Sequence, residues 1–270
     1  MPDGRLDGEV AIVTGSTSGL GKEIARMFAA EGARVVVTGR NAERGLTVAK
    51  GIVDGGGAAA FVPADLREEA QCQSLVDETV TEWGPATVLV NNAVTSTAQP
   101  QAAADDAVVK LDGPAGEVAA DAFRTVLEVD LVGAATLCRL VIPHMLRAGH
   151  GSIVNVSSRV AGQGTPNLAA YTASKAGLEA LARSITADYA RQGIRANTVR
   201  PGYIIHERRD SEVGAARRAR LEGMHLTRLS TATDVAYAVL FLASPESETI
   251  SGVTLPVDGG SSAVRGLTLG

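Results

Sequence analysis

The chain has 270 residues, 45% of them hydrophobic and 20% charged, enough to bury a substantial core and too apolar for a disordered polymer. Its net charge of −5 supplies no basic stripe for nucleic acid. No stretch approaches the ~18 uninterrupted apolar residues of a membrane span, and the opening Met-Pro-Asp-Gly-Arg does not read as a signal peptide, so a cytoplasmic protein is expected.

Short β-type runs are predicted at residues 10–14, 34–38, 60–62, 87–91, 152–158, 194–199 and 253–257. Helical periodicity fills residues 20–30, 42–53, 68–83, 120–146, 169–191 and 233–243. Strands that alternate with amphipathic helices imply βαβ units. The expected fold is therefore α/β: a single doubly wound Rossmann domain over residues 1–270, with a seven-stranded parallel sheet and helices on both faces. Cys72 and Cys138 lie far apart without metal-ligand spacing, so both read as buried free thiols, and no metal site is expected.

The first strand runs into Gly15, Gly19 and Gly21, and a helix follows. Glycines at such a junction let backbone approach a pyrophosphate, which the helix N-terminus attracts. A plain tight turn is the alternative; the strand–turn–helix context favours a dinucleotide. Further on, Tyr171 and Lys175 stand four apart on one helix face. An ammonium that close to a phenol should lower the tyrosine pKa, and such a tyrosine can exchange a proton with an alcohol near neutral pH. Taken alone, a Y-x-x-x-K pair also fits a surface where the two meet by chance. Ser158 closes the run Ile153-Val154-Asn155-Val156, which would deliver its hydroxyl to the carboxyl edge of the sheet, where open α/β sheets bind ligands.

The spacing Gly15-x-x-x-Gly19-x-Gly21, with Ser158 and Tyr171-x-x-x-Lys175, resembles the short-chain dehydrogenase/reductase family across residues 6–260. Asp65, Asn91-Asn92-Ala93, Pro201-Gly202 and Val257-Asp258-Gly259-Gly260 match at independent points. The resemblance implies an NAD(P)(H)-dependent enzyme interconverting a ketone and a secondary alcohol, assembled as a homotetramer. In that reading Tyr171 donates the proton, Lys175 tunes it and holds the ribose hydroxyls, and Ser158 holds the substrate oxygen. Cofactor contacts are expected from Gly15, Ser18, Gly19 and Leu20 in the glycine turn, and from Asp65 and Leu66 after the third strand. Asn92 and Ala93 would follow the fourth strand, and Pro201, Gly202 and Ile204 the sixth, with Tyr171 and Lys175 completing the set.

Gly39 stands where the family's NAD-selective acid would be, and Arg40 follows it, with Arg44 one turn on. A guanidinium there can pair with a 2′-phosphate, so NADP(H) is favoured over NAD(H). The alternative is an Arg40 that only stacks on adenine, with both cofactors used. Departures from the family are Val94 for a glycine, His206 for a threonine, and Asp130 for the asparagine that is the fourth catalytic residue. An aspartate accepts hydrogen bonds but donates none unless protonated. Residues 95–117 form an insertion, read as a wall or lid, and 203–226 a substrate loop. Its stretch 206–222 holds five arginines against four acids, so no anionic substrate is read from it. A 3-oxoacyl-thioester reductase, an NAD-linked diol dehydrogenase and a cofactor-binding regulator without catalysis are the alternatives.

Overall fold

A computed structural model describes residues 4–95, 112–205 and 215–263. The strands are β1 (Val10–Thr14), β2 (Arg34–Gly39), β3 (Ala58–Pro63), β4 (Val88–Asn91), β5 (Gly151–Val156), β6 (Ile194–Pro201) and β7 (Thr254–Val257). The central strands are buried on both faces, as in a parallel sheet covered by helices, while the edge strands β3 and β7 are partly exposed. All pair in parallel in the order β3-β2-β1-β4-β5-β6-β7. Between them run α1 (Gly19–Ala30), α2 (Ala42–Asp54), α3 (Glu69–Trp83), α4 (Ala120–Leu127), α5 (Gly133–Ala148), α6 (Ala169–Tyr189), α7 (Ala215–Glu222) and α8 (Ala232–Ala243).

The pleat of β1 divides the core. Ala11 and Val13 join Phe28 of α1, Val48 of α2 and Leu240 of α8 on one face of the sheet. Ile12 joins Leu75 of α3, Leu137 and Met145 of α5 and Ile185 of α6 on the other. Successive strands are added to one side of β1 up to β3 and to the other side from β4 on, so the crevice for a ligand opens above the carboxyl ends of β1 and β4.

The sheet and its order bear out the α/β expectation, with local corrections. The strand predicted to Ser158 ends at Val156, because Ser157 and Ser158 turn away into a 3₁₀ turn, Arg159–Gly162. The single helix predicted over 120–146 is broken by a π-turn, Glu128–Val132, which inserts an extra residue per hydrogen-bonded ring. That widening turns Asp130 inward, where it is almost fully buried. Gly133 follows it because a Cβ there would lie 2.7 Å from Leu66 Cβ and 2.8 Å from its carbonyl oxygen. Most of the 95–117 insertion and His206, with the rest of 206–214, lie outside the described residues. Among the described residues no helix is long and apolar enough to cross a membrane, and no cluster of three metal-ligating side chains exists.

Candidate active site

The glycine turn forms a notch without side chains. Gly15 has φ +64°, and a Cβ on it would meet Ala93 Cα at 2.8 Å. A Cβ on Gly21 would lie 2.5 Å from both Asn92 Nδ2 and Gly15 O, so no other residue fits. Thr14 and Asn92 brace the notch from the two central strands. Thr14 Oγ1 accepts from the amides of Asn92 and Ala93, each at 2.9 Å, and Asn92 Nδ2 donates to Thr14 O at 2.9 Å. The exposed Ser18 starts α1 without capping it through its side chain, and the first turn holds no acid. The amides of this helix N-terminus are thus left for an anion, and the notch fits a dinucleotide pyrophosphate.

Arg40 is exposed just beyond β2. The Asp65 carboxylate is already engaged by Arg67, whose Nε donates to Oδ1 at 3.0 Å and whose Nη2 donates to Oδ2 at 2.5 Å. That hydrogen-bonded pairing holds the Asp65 pKa below its ordinary value. Carboxylate lone pairs remain for an adenine amino group. Leu66 packs against the α5 start, and Gly202 is fixed by its amide to Val257 O at 3.0 Å. Pro201 closes β6, while Ile204 pairs with Ser230 in an isolated parallel bridge.

Beside the notch, β5 and α6 bring the polar residues together. Ser158 stands beside the Tyr171 phenol, where its hydroxyl favours the phenolate, and Lys175 Nζ lies 5.5 Å from that ring's centroid. Lys175 is buried, and its ammonium donates to Val156 O at 3.0 Å. Asp130 Oδ1 accepts from both the amide and the hydroxyl of Thr95 at 2.6 Å, and Oδ2 accepts from Ser174 Oγ at 3.5 Å. So Ser158, Tyr171, Lys175 and Asp130, four residues from three different segments, converge at the carboxyl edge of the sheet.

The electrostatics correct one expectation. Tyr171 is not lowered: burial pushes its phenol up to about 12, outweighing the Ser158 hydroxyl, and the nearby Asp130 charge adds to the rise. The same burial lowers Lys175, which the Asp130 charge partly offsets. Burial in turn raises Asp130, with Lys175 acting against it. A protonated phenol at neutral pH suits proton donation, whereas proton removal requires alkali. Ketone reduction is therefore expected to stay level between roughly pH 7 and 10, while alcohol oxidation climbs throughout. Rate profiles in both directions check this, and an oxidation rate already flat at pH 7 would contradict it.

Ser157 differs from Ser158: it is buried and donates to Glu179 Oε1 at 2.9 Å and Lys175 O at 3.2 Å, so it braces α6. Glu179 in turn accepts from Arg200 Nε at 2.8 Å and Nη2 at 2.5 Å, tying α6 to the residue before Pro201-Gly202. Sequence reasoning missed this pair, although Glu179 stands one turn beyond Lys175 on the same face. Thr95 was read only as part of the insertion.

The chain matches the family model described as "Enoyl-(Acyl carrier protein) reductase" over residues 15–262, which includes every strand but β1. It belongs to the short-chain dehydrogenase/reductase family. As such it is an NAD(P)-dependent oxidoreductase acting on CH–OH/C=O groups. The cis-4-hydroxycyclohexanecarboxylate dehydrogenase of Sinomonas cyclohexanicum is 39% identical over 94% of this chain and 97% of its own length. An NADP-dependent (R)-specific alcohol dehydrogenase of Lentilactobacillus kefiri is 36% identical over 96% and 98%. Among solved structures, a gluconate 5-dehydrogenase from Burkholderia cenocepacia J2315 in complex with NADP and tartrate superimposes with TM-score 0.85. It is 33% identical and covers 97% of this chain and 98% of its own.

Proposed function

We propose that this short-chain dehydrogenase/reductase reduces a ketone to a secondary alcohol with NADPH, and runs the reverse, within one domain. The convergence of Ser158, Tyr171 and Lys175 beside the glycine notch carries this reading. Tyr171 gives its proton to the carbonyl oxygen, and Ser158 hydrogen-bonds that oxygen as negative charge grows on it. The Lys175 ammonium stabilises the phenolate left behind and faces the cofactor ribose. Asp130, its oxygens held by Thr95 and Ser174, acts as a fixed charge that favours the protonated Lys175. The bound nicotinamide supplies or accepts the hydride. Gly15, Ser18, Gly19, Leu20 and Asn92 hold its phosphates and ribose, Pro201, Gly202 and Ile204 flank its ring, and Asp65 and Leu66 border the adenine.

Arg40 supports the NADP preference, since no acid stands at the end of β2 to repel a 2′-phosphate. Arg40→Ala is expected to weaken NADPH binding ~10-fold or more and NADH binding less than about twofold. Equal losses in a fluorescence titration would remove the phosphate role. The Sinomonas relative acts on an alicyclic hydroxy acid and the Lentilactobacillus relative is named an alcohol dehydrogenase, which supports secondary alcohols, alicyclic ones first. The quaternary assembly proposed is a homotetramer.

The test follows nicotinamide absorbance with NADPH and NADH against cyclic, aryl and β-keto ester ketones, 4-oxocyclohexanecarboxylate included. Turnover preferring NADPH is the expected result. Tight NADPH binding without turnover on any ketone, or on alcohols in reverse, would instead mark a cofactor-binding regulator.

A further inference from the structure

The helix that carries Tyr171 and Lys175 begins badly on its own account. Its N-cap residue, Leu168, provides no side-chain acceptor, and the residue before it, Asn167, is held at φ +63°. An asparagine tolerates that left-handed conformation, but the local chain neither satisfies the first amides of α6 nor fixes its entry angle.

Both tasks fall to a segment 58 residues upstream. Asp112 is buried, and its Oδ1 accepts from the Ala170 amide at 3.0 Å while Oδ2 accepts from the Tyr171 amide at 2.9 Å. Oδ1 also accepts from the Gly113 amide at 2.8 Å, which sets the carboxylate plane, and Gly113 O accepts from the Ala169 amide at 3.3 Å. The amides of the first three helical residues, Ala169, Ala170 and Tyr171, are thus taken by residues 112–113, and the Thr172 amide makes the first intrahelical bond, to Leu168 O at 2.9 Å. A carboxylate is also the charge that a helix N-terminus favours.

We propose that Asp112 is a positioning residue for Tyr171, a remote cap that holds the first turn of the catalytic helix so that the phenol meets Ser158. It touches neither substrate nor cofactor and acts through the Tyr171 backbone. The proposal rests on the reading of Tyr171 as proton donor. It has a physical rationale of its own: two bonds from a buried carboxylate to adjacent amides fix the helix end in rotation as well as in position. A displacement of about 1 Å at the phenol is enough to lose ~100-fold in rate.

Asp112→Ala and Asp112→Asn test it together. The alanine variant is expected to lose ~10- to 100-fold in kcat while its NADPH Kd stays within about twofold of wild type. The asparagine keeps one carbonyl acceptor but sets an N–H against one of the amides, so it recovers part of the loss. Melting temperatures are measured alongside. A variant that melts lower but keeps wild-type kcat would make Asp112 a purely structural cap and overturn the proposal.

A second readout needs no turnover: the tyrosinate absorbance of Tyr171, taken as the difference between each protein and its Tyr171→Phe counterpart. Burial holds that group up at about 12, so a loosened first turn is expected to bring it down toward 10. An unchanged transition would also overturn the proposal. Should the wild type reduce no ketone, the catalytic reading fails while this titration still decides whether Asp112 holds the phenol in place.

Discussion

Tyr171→Phe is expected to lower turnover at least ~100-fold while leaving NADPH binding intact. The substitution removes one oxygen, the hydroxyl beside Ser158, from a ring carried by α6. Lys175 still donates to Val156 O, so the local fold has no reason to change. With the phenol gone, the developing alkoxide must take its proton from water that the half-buried site admits poorly. The check is single-turnover kinetics with pre-bound NADPH, which separates the chemical step from binding. Near-normal turnover would remove Tyr171 from its role, and loss of cofactor affinity would show that the ring supports the ribose instead.

Lys175→Met is expected to cost at least as much activity, by a different route. The side chain is fully enclosed, and a methionine of similar volume can fill its space, so the loss is one of charge rather than of packing. Without the ammonium, the phenolate left after proton transfer has no neighbouring cation. Asp130 loses the charge that works against its raised pKa. A carboxyl whose folded pKa lies above its unfolded value, here 3.8, favours the folded state when protonated and loses that advantage as pH rises through the folded pKa. The Lys175→Met protein should therefore lose stability relative to wild type as pH climbs from 3.8 through the raised folded pKa of Asp130. Adding Asp130→Asn should flatten that dependence without restoring activity. Denaturant melts at several pH values test this; a pH-independent difference would mean that the two side chains do not sense each other.

Much of the site was legible from sequence because its parts are local. Tyr171 and Lys175 share a face by helical spacing, and Gly15, Gly19 and Gly21 mark the turn between a strand and a helix. Alternating strands and helices fixed the parallel sheet, and a parallel sheet whose strand order reverses once puts a crevice at β1 and β4. What sequence could not reach were contacts made across the fold. Propensity reads residues 120–146 as one helix; only packing of α5 against Leu66 and the bonds of Asp130 to Thr95 and Ser174 explain the π-turn. The Glu179–Arg200 pair joins residues 21 apart, and the Asp112 cap joins residues 58 and 59 apart. The tyrosine pKa went the other way from its sequence expectation for the same reason. Spacing reports the neighbouring lysine, but burial depends on everything folded around the ring, and here burial is the larger effect. The sequence alone determined the family, the candidate catalytic groups and the seven-stranded parallel sheet. Tertiary structure decided how those groups are held and charged, because desolvation and long-range hydrogen bonds exist only once the chain has closed on itself.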